Sequence, residues 1–181
     1  MGLYRKTYNY IKYKFSKNPL IKCSSYNFYI HATSSLKTYG NSSIEINGTI
    51  NIQRYVLIDI YTNSRLIINN NSYIGDYSIL RGDRCHIHIG SNTIIGQGVK
   101  IYSTNHKFNK KDILIREQDI DLEKNDIFIG NDCWIGGGAI IVPGVKLGNG
   151  VVVGAGSIVT KSFPDYAVVA GNPAKLIKYR E

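Results

Sequence analysis

The chain has little of what many functional classes require. Its 181 residues include three cysteines, one tryptophan, one methionine and four prolines. Cys23, Cys85 and Cys133 share no segment and no CxxC spacing. That excludes a disulfide framework and leaves an odd number of thiols, expected to be reduced and cytoplasmic. No apolar run approaches the roughly 18 residues of a membrane span. Residues 1–13 are basic but lack an apolar stretch and a small-residue cleavage site, so no secretory signal is expected. Lys6 stands where an N-myristoylation motif starting at Gly2 needs Ser or Thr. No Walker loop and no GxGxxG opening a helix is present, so the glycines answer to another rule. Acidic residues are scarce, 13 against 22 Lys and Arg for a net charge of +9. Residues 1–40 contain seven cations and no acid, so any electrostatic partner is met mainly by that segment.

What the sequence does have is a repeat. From residue 129 it divides into sixes: IGNDCW, IGGGAI, IVPGVK, LGNGVV, VGAGSI, VTKSFP. The first position is a branched aliphatic throughout, from Ile129 to Val159, and the second is Gly at 130, 136, 148 and 154. The fifth is small or moderate from Cys133 to Ser157 and broken only by Phe163. The register recurs at Ile89, Ile95 and Ile101, at Ile68, Ile74 and Leu80, and more weakly at Ile46, Ile52 and Ile58. A period of six fits neither a helix at 3.6 nor simple strand alternation. It fits a short strand plus a corner, three to a coil of about 18 residues, stacked as a parallel β-solenoid. Glycine after the aliphatic suits a tight corner, and Pro143 is tolerable there but not in a central strand. An ordinary β-sandwich does not explain six consecutive blocks in strict register.

The repeat stops between Ile101 and Ile127, in a segment opening with Ser103, Thr104, Asn105 and His106. A loop this long inside a solenoid is usually functional. A histidine where a rigid coil gives way to a loop suits general-base work, since it titrates near neutral pH and the scaffold fixes it. A solvated loop histidine is the plain alternative. His86 and His88 alternate around Ile87 without a third ligand at convincing spacing, so no metal site is expected. A carboxylate beside His106 would hold its tautomer. Asp76, with Ser78 beside it, and Asp83 in the corner RGDRC are the candidates, each equally readable as a corner residue bonding its own backbone.

The blocks of form [LIV]-G-x-x-[STAV]-x resemble the hexapeptide-repeat acyltransferases over roughly residues 44–178. Residues 126–178 are most similar to the maltose, galactoside and capsule or lipopolysaccharide O-acetyltransferase branch. The resemblance implies an all-β, left-handed parallel β-helix; the usual preference for right-handed crossovers points the other way. It implies a β-helix domain over 44–181 with a protruding loop at 103–126 and a tail at 164–181. STNHKF is similar to the branch's T-x-[TGN]-H segment, which makes His106 the general base. The acceptor site is then expected at Asp76, Ser78, Asp83 and Asn105. Acetyl-CoA is implied as co-substrate, contacting Trp134, Gly136, Gly154, Ala155, Thr160, Lys161, Gly171, Pro173, Lys175 and Lys178. A homotrimer with active sites between subunits is likewise implied.

Residues 1–43 read as a cap over the first coil. Seven of the 14 tyrosines lie in residues 1–40 beside the cations, which also suits contact with an anionic membrane surface, with single-stranded nucleic acid ranked far behind. The maltose-type N-terminal motif is absent, which favours a polysaccharide or lipid-linked glycan over a small free sugar. The expectation is a cytoplasmic O-acetyltransferase acting on a sugar hydroxyl in surface-polysaccharide biosynthesis, with peripheral contact at the inner membrane face as the variant that the basic N-terminus suits. The alternatives are acetylation of an amino sugar or antibiotic hydroxyl, and a non-catalytic scaffold.

Overall fold

The computed structural model describes residues 20–24, 28–123 and 125–181. Apart from one 3-10 turn at Ile115–Glu117, its regular structure is β. Three parallel six-stranded ladders form the faces of a triangular prism, and the second is extended by two C-terminal strands. The chain visits first, second and third face in turn, so each circuit is one coil. Coil one is Ile21–Cys23, Phe28–Ile30 and Ser35–Thr38. Coil two is Ser43–Ile46, Ile50–Ile52 and Leu57–Ile60. Coil three is Arg65–Ile68, Ser72–Ile74 and Ile79–Gly82, and coil four Ile87–Ile89, Ile94–Ile95 and Lys100–Tyr102. After the loop come Ile127–Ile129, Trp134–Ile135 and Ile140–Ile141, then Lys146–Leu147, Val152–Val153 and Ile158–Val159. These parallel coils are the β-solenoid that the repeat predicts and are consistent with the left-handed β-helix that the resemblance implies.

The strands form because β-branched residues alternate with polar ones for three or four positions, long enough to cross a face and no longer. The inward residues Ile44, Ile46, Ile58, Ile68, Leu80, Ile89, Ile101, Ile129, Ile141 and Val159 are almost wholly buried. Each contributes about 1.5–3 kcal/mol by leaving water. The small fifth position of the repeat also points inward: Cys133, Ala139, Val145, Val151 and Ser157 are buried. Each side therefore supplies two inward residues.

Corners are closed by serine, threonine and glycine. Ser42 Oγ donates to Ile60 O at 2.7 Å, Ser72 Oγ to Gly90 O at 2.9 Å, and Thr93 Oγ1 to Gly130 O at 3.0 Å. Each hydroxyl satisfies a buried carbonyl of the neighbouring coil. Glycines stack without side chains: a Cβ on Gly130 would lie 2.6 Å from Gly148 O, and one on Gly136 2.5 Å from Ala155 N.

The register begins earlier than residue 44. Ile21 pairs with Ile44, Ile30 with Ile52 and Leu36 with Ile58, all parallel, so residues 21–38 form a true coil. The sequence hid this because the upstream coils are longer: Ile44, Leu66 and Ile87 succeed one another in register at 22 and 21 residues, whereas Phe128 meets Lys146 after 18. A strict six-residue ruler loses phase there. Residues 1–19, which carry most of the basic cap segment, lie outside the described residues. The tail forms a hairpin, Ala167–Gly171 against Ala174–Tyr179, laid on the second face by Val152↔Val168.

Candidate active site

The repeat stops after Tyr102 and resumes at Ile127, and the intervening chain leaves the edge where the third face meets the first. It is not an unstructured excursion. Asn105–His106 pairs antiparallel with Ile120–Asp121, so His106 lies opposite Ile120 at the base of a hairpin. Gln118, buried, ties the hairpin's far end: its Oε1 accepts the Lys110 N–H at 3.0 Å, and its Nε2 donates to Lys110 O and Ile113 O, each at 2.8 Å. Asn125 Nδ2 donates to Asp121 O at the return to the coil. Arg84, in the corner below, reaches Asp119 at 3.3 Å. The Asp119 carboxyl is held below the usual carboxylate range, first by the Ile120 N–H and then by Arg84. Gln118, Arg84 and Asp119 were missed by sequence reasoning. No periodicity marks them, since their partners are fixed only once the hairpin closes.

His106 itself is exposed, and its ring has no hydrogen-bond partner among the described residues. It is open to an incoming hydroxyl.

The other candidates fall into two groups. Asp83, Asn105, Thr160 and Lys161 share the third-to-first edge with His106: Asp83 one coil before it, Thr160 and Lys161 at the end of coil six. Lys161 Nζ lies 5.6 Å from the centre of the Phe163 ring. Trp134, Gly136, Gly154, Ala155, Gly171, Pro173, Lys175 and Lys178 lie on the second face or its corner with the third. Trp134 is 55% exposed, stacked in register between Ile94 and Val152. In a triangular prism the third-to-first edge is the one the second face does not touch. A single chain therefore keeps His106 and Trp134 on opposite sides.

Two acceptor candidates belong to the scaffold instead. Ser78 is fully buried and donates its hydroxyl to Gly96 O at 3.0 Å, so it closes a corner and cannot meet an acceptor. Asp76 sits at the second-to-third corner, accepting the Arg54 N–H at 2.8 Å and pairing with its guanidinium at 3.1 Å. Six-residue counting gave the right spacing but not the edge. Asp83 stays on the histidine edge, 3.7 Å from Arg84.

Both alternating histidines serve the coil. His86 Nδ1 accepts the Arg65 N–H at 3.1 Å, and His88 Nε2 lies 2.9 Å from Asn69 Nδ2 while its ring stacks on Phe128. Burial lowers the His88 pKa. Among the described residues no group of three His, Cys, Asp or Glu is placed to hold a metal. The cysteines are free thiols, and burial pushes Cys133 up to about 11, which suits packing and not nucleophilic work. An open groove of about 450 Å³ between Phe128, Lys146, Phe163 and Asp165 lies on the first face and is not lined by His106. The exposed histidine edge is the better candidate, because it gathers the groups that can do chemistry.

The comparisons bear on this geometry. Residues 126–161 match the family described as bacterial transferase hexapeptide (six repeats). A putative acetyltransferase of Dictyostelium discoideum is 45% identical over 107 residues, 59% of this chain and 54% of that one. The chain spans little more than half the length of such curated relatives. Among solved structures, the polySia-specific acetyltransferase NeuO superposes with a TM-score of 0.64 at 27% identity, covering 88% of this chain and 81% of NeuO. The fold alone is shared with AntD, an N-acyltransferase of Bacillus cereus whose structure holds dTDP and 3-hydroxybutyryl-CoA, at 24% identity and a TM-score of 0.74, covering 90% and 84%. Residues 126–161 thus carry a repeat similar to that of the hexapeptide transferases, and the parallel register continues into the coils on either side.

Proposed function

We propose that the protein is an acetyl-CoA-dependent O-acetyltransferase acting on a sugar hydroxyl of a surface glycan or its precursor. The observation that carries this is His106: an unpartnered, exposed imidazole at the base of a pinned hairpin, on the coil stacked directly before the repeat that matches a transferase family. The named activities of the acetyltransferases similar to it support the same reaction class.

In this reading His106 takes the proton from the acceptor hydroxyl as its oxygen attacks the thioester carbonyl. The tetrahedral oxyanion that forms is met by backbone N–H groups, and collapse expels the coenzyme A thiolate, which is reprotonated by the imidazolium. No covalent enzyme intermediate is needed. Thr160 and Lys161 on the histidine edge, and Trp134, Ala155, Lys175 and Lys178 on the opposite side, hold the donor between two subunits. Lysines pair with its phosphates in a charge-assisted way. A homotrimer brings the two sides together, which explains why neither alone is a complete site. A cytoplasmic place, peripheral to the membrane for a lipid-linked acceptor, belongs to the same reading.

The test is free-thiol release from acetyl-CoA with sugars, glycan fragments, amino sugars and antibiotic alcohols. Acceptor-dependent release that falls by about two to four decades in His106→Ala is the expected result. Absence of acetyl-CoA binding would overturn the reading and favour a scaffold.

A further inference from the structure

We propose that the edge and third face below the histidine hairpin form an acceptor track for an acidic glycan, a chain of sugars bearing carboxylate or other anionic groups. This rests on the acyl-transfer reading of His106 and names the substrate class for that same site.

The observation is an arginine in a row of charged side chains that the fold leaves out of any ion pair. Lys37, Asp59, Arg81 and Tyr102 lie side by side in register across the third face, and Lys100 stands beside them. Among the described residues, Arg54, Arg65, Arg84 and Arg180 are in ion pairs, whereas Arg81, Arg116 and the lysines are in none. Arg81 has a carboxylate one strand away and does not use it. Its guanidinium lies over the Tyr61 ring, 4.9 Å from the centroid, and Tyr61 stacks on Tyr39 at 4.6 Å with the planes 8° apart. A cation held over an aromatic face keeps its in-plane N–H groups available for a carboxylate.

Asp59 stands half-buried between Lys37 and Arg81, with its Oδ1 closed to a ligand. Guanidinium for a carboxylate and stacked tyrosines alongside suit a sugar acid better than a simple anion.

The row leads to the chemistry. Strands stand about 4.8 Å apart, so Arg81 is one spacing from Tyr102, and Lys37 about 14 Å away. His106 follows four residues after Tyr102. Lys107, Lys110 and Lys111, exposed on the hairpin, continue the cationic surface past it.

The experiment compares kcat/KM for an acidic oligosaccharide and its carboxyl-reduced neutral counterpart, at low and physiological salt. Direct binding of the acidic oligosaccharide is measured without acetyl-CoA. The acidic acceptor is expected to be favoured by about tenfold, the scale of one charge-assisted pair, with the preference shrinking as salt rises. Arg81→Gln is expected to bring the ratio near one and Arg81→Lys to retain part of it. Lys22→Gln, the same charge change on the first face, is expected to keep it. Equal kcat/KM for both acceptors in the wild type would overturn the track and leave the transferase standing. So would an equal effect of Lys22→Gln and Arg81→Gln, which would reduce the effect to net charge. Arg81-dependent binding to vesicles of anionic lipid without glycan binding would likewise overturn it. Arg81-dependent glycan binding with no transfer to any acceptor would support the track and remove the transferase reading.

Discussion

The guanidinium of Arg84, at the corner below the hairpin, lies 3.3 Å from the Asp119 carboxylate on the hairpin's return limb. Asp119 precedes Ile120, the residue paired with His106, so this contact fixes one side of the catalytic candidate's frame. A carboxyl whose folded pKa is depressed contributes order that is present above its unfolded pKa. That order is lost as pH falls through the folded value. The Lys107 amide, donated to Asp119 O, is therefore expected to lose exchange protection below about pH 4. Arg84→Gln is expected to loosen the hairpin at neutral pH and lower turnover about three- to tenfold. An exposed pair barely affects global stability, so the melting temperature should hold. Amide exchange and melting curves on the variant check both.

Gln118 is the hairpin's inner tie, giving one acceptor and two donor contacts from a buried amide. Gln118→Ala is expected to leave the Lys110 N–H and Ile113 O without partners and Lys110 O with only the Ile113 N–H, and to cost the hairpin about 1–3 kcal/mol. The coils should stay folded, since no core side chain is touched. Limited proteolysis between residues 107 and 119 would speed up in the variant while thermal unfolding stayed near wild type. A large drop in melting temperature would show the hairpin to be part of the cooperative core.

Two glycines should fail for different reasons. A Cβ at Gly130 would meet Gly148 O at 2.6 Å, so Gly130→Ala forces coils five and six apart and is expected to destabilise by about 1–3 kcal/mol. At Gly98 the space is open, but φ is +65°. Gly98→Ala therefore incurs only the cost of the left-handed conformation, about 1–2 kcal/mol. Asn tolerates that conformation and should recover part of the loss at Gly98, with no rescue at Gly130. Denaturant midpoints of the four variants separate the two causes.

Cys133 reports on the core. Its thiol is 1% exposed, and burial pushes its pKa up to about 11 against an ordinary 9.0. A raised pKa means the folded state resists ionisation. Stability is complete below about pH 9 and declines as pH rises toward 11, by about 2–3 kcal/mol from this group. Cys133→Ala is expected to flatten that part of the stability profile between pH 8 and 10.5. In the native wild type, Cys133 should resist alkylation at pH 8.

Much of this was legible because a solenoid writes its core into the sequence at a fixed interval. Ile129, Ile135 and Ile141 announce both their burial and their neighbours, since each coil's contacts are copies of the last. The ruler failed where coils lengthened. Ile21, Ile30 and Leu36 escaped the repeat because circuits of 21 to 23 residues do not divide into sixes, and Ser78 was misread because its side chain points inward.

The sequence alone determined the period, hence the solenoid, its inward aliphatics, and the place where the coil breaks to carry His106. Those follow from local chemistry: a strand two inward residues long, a corner, and a repeat. Only the tertiary structure decided which edge each residue occupies. Extra residues are absorbed at the corners while the strands stay in ladder register, so the pairing and not the residue count sets the edge. That pairing separates Asp76 and Trp134 from His106, brings Arg84 to Asp119, and lays Arg81 over Tyr61.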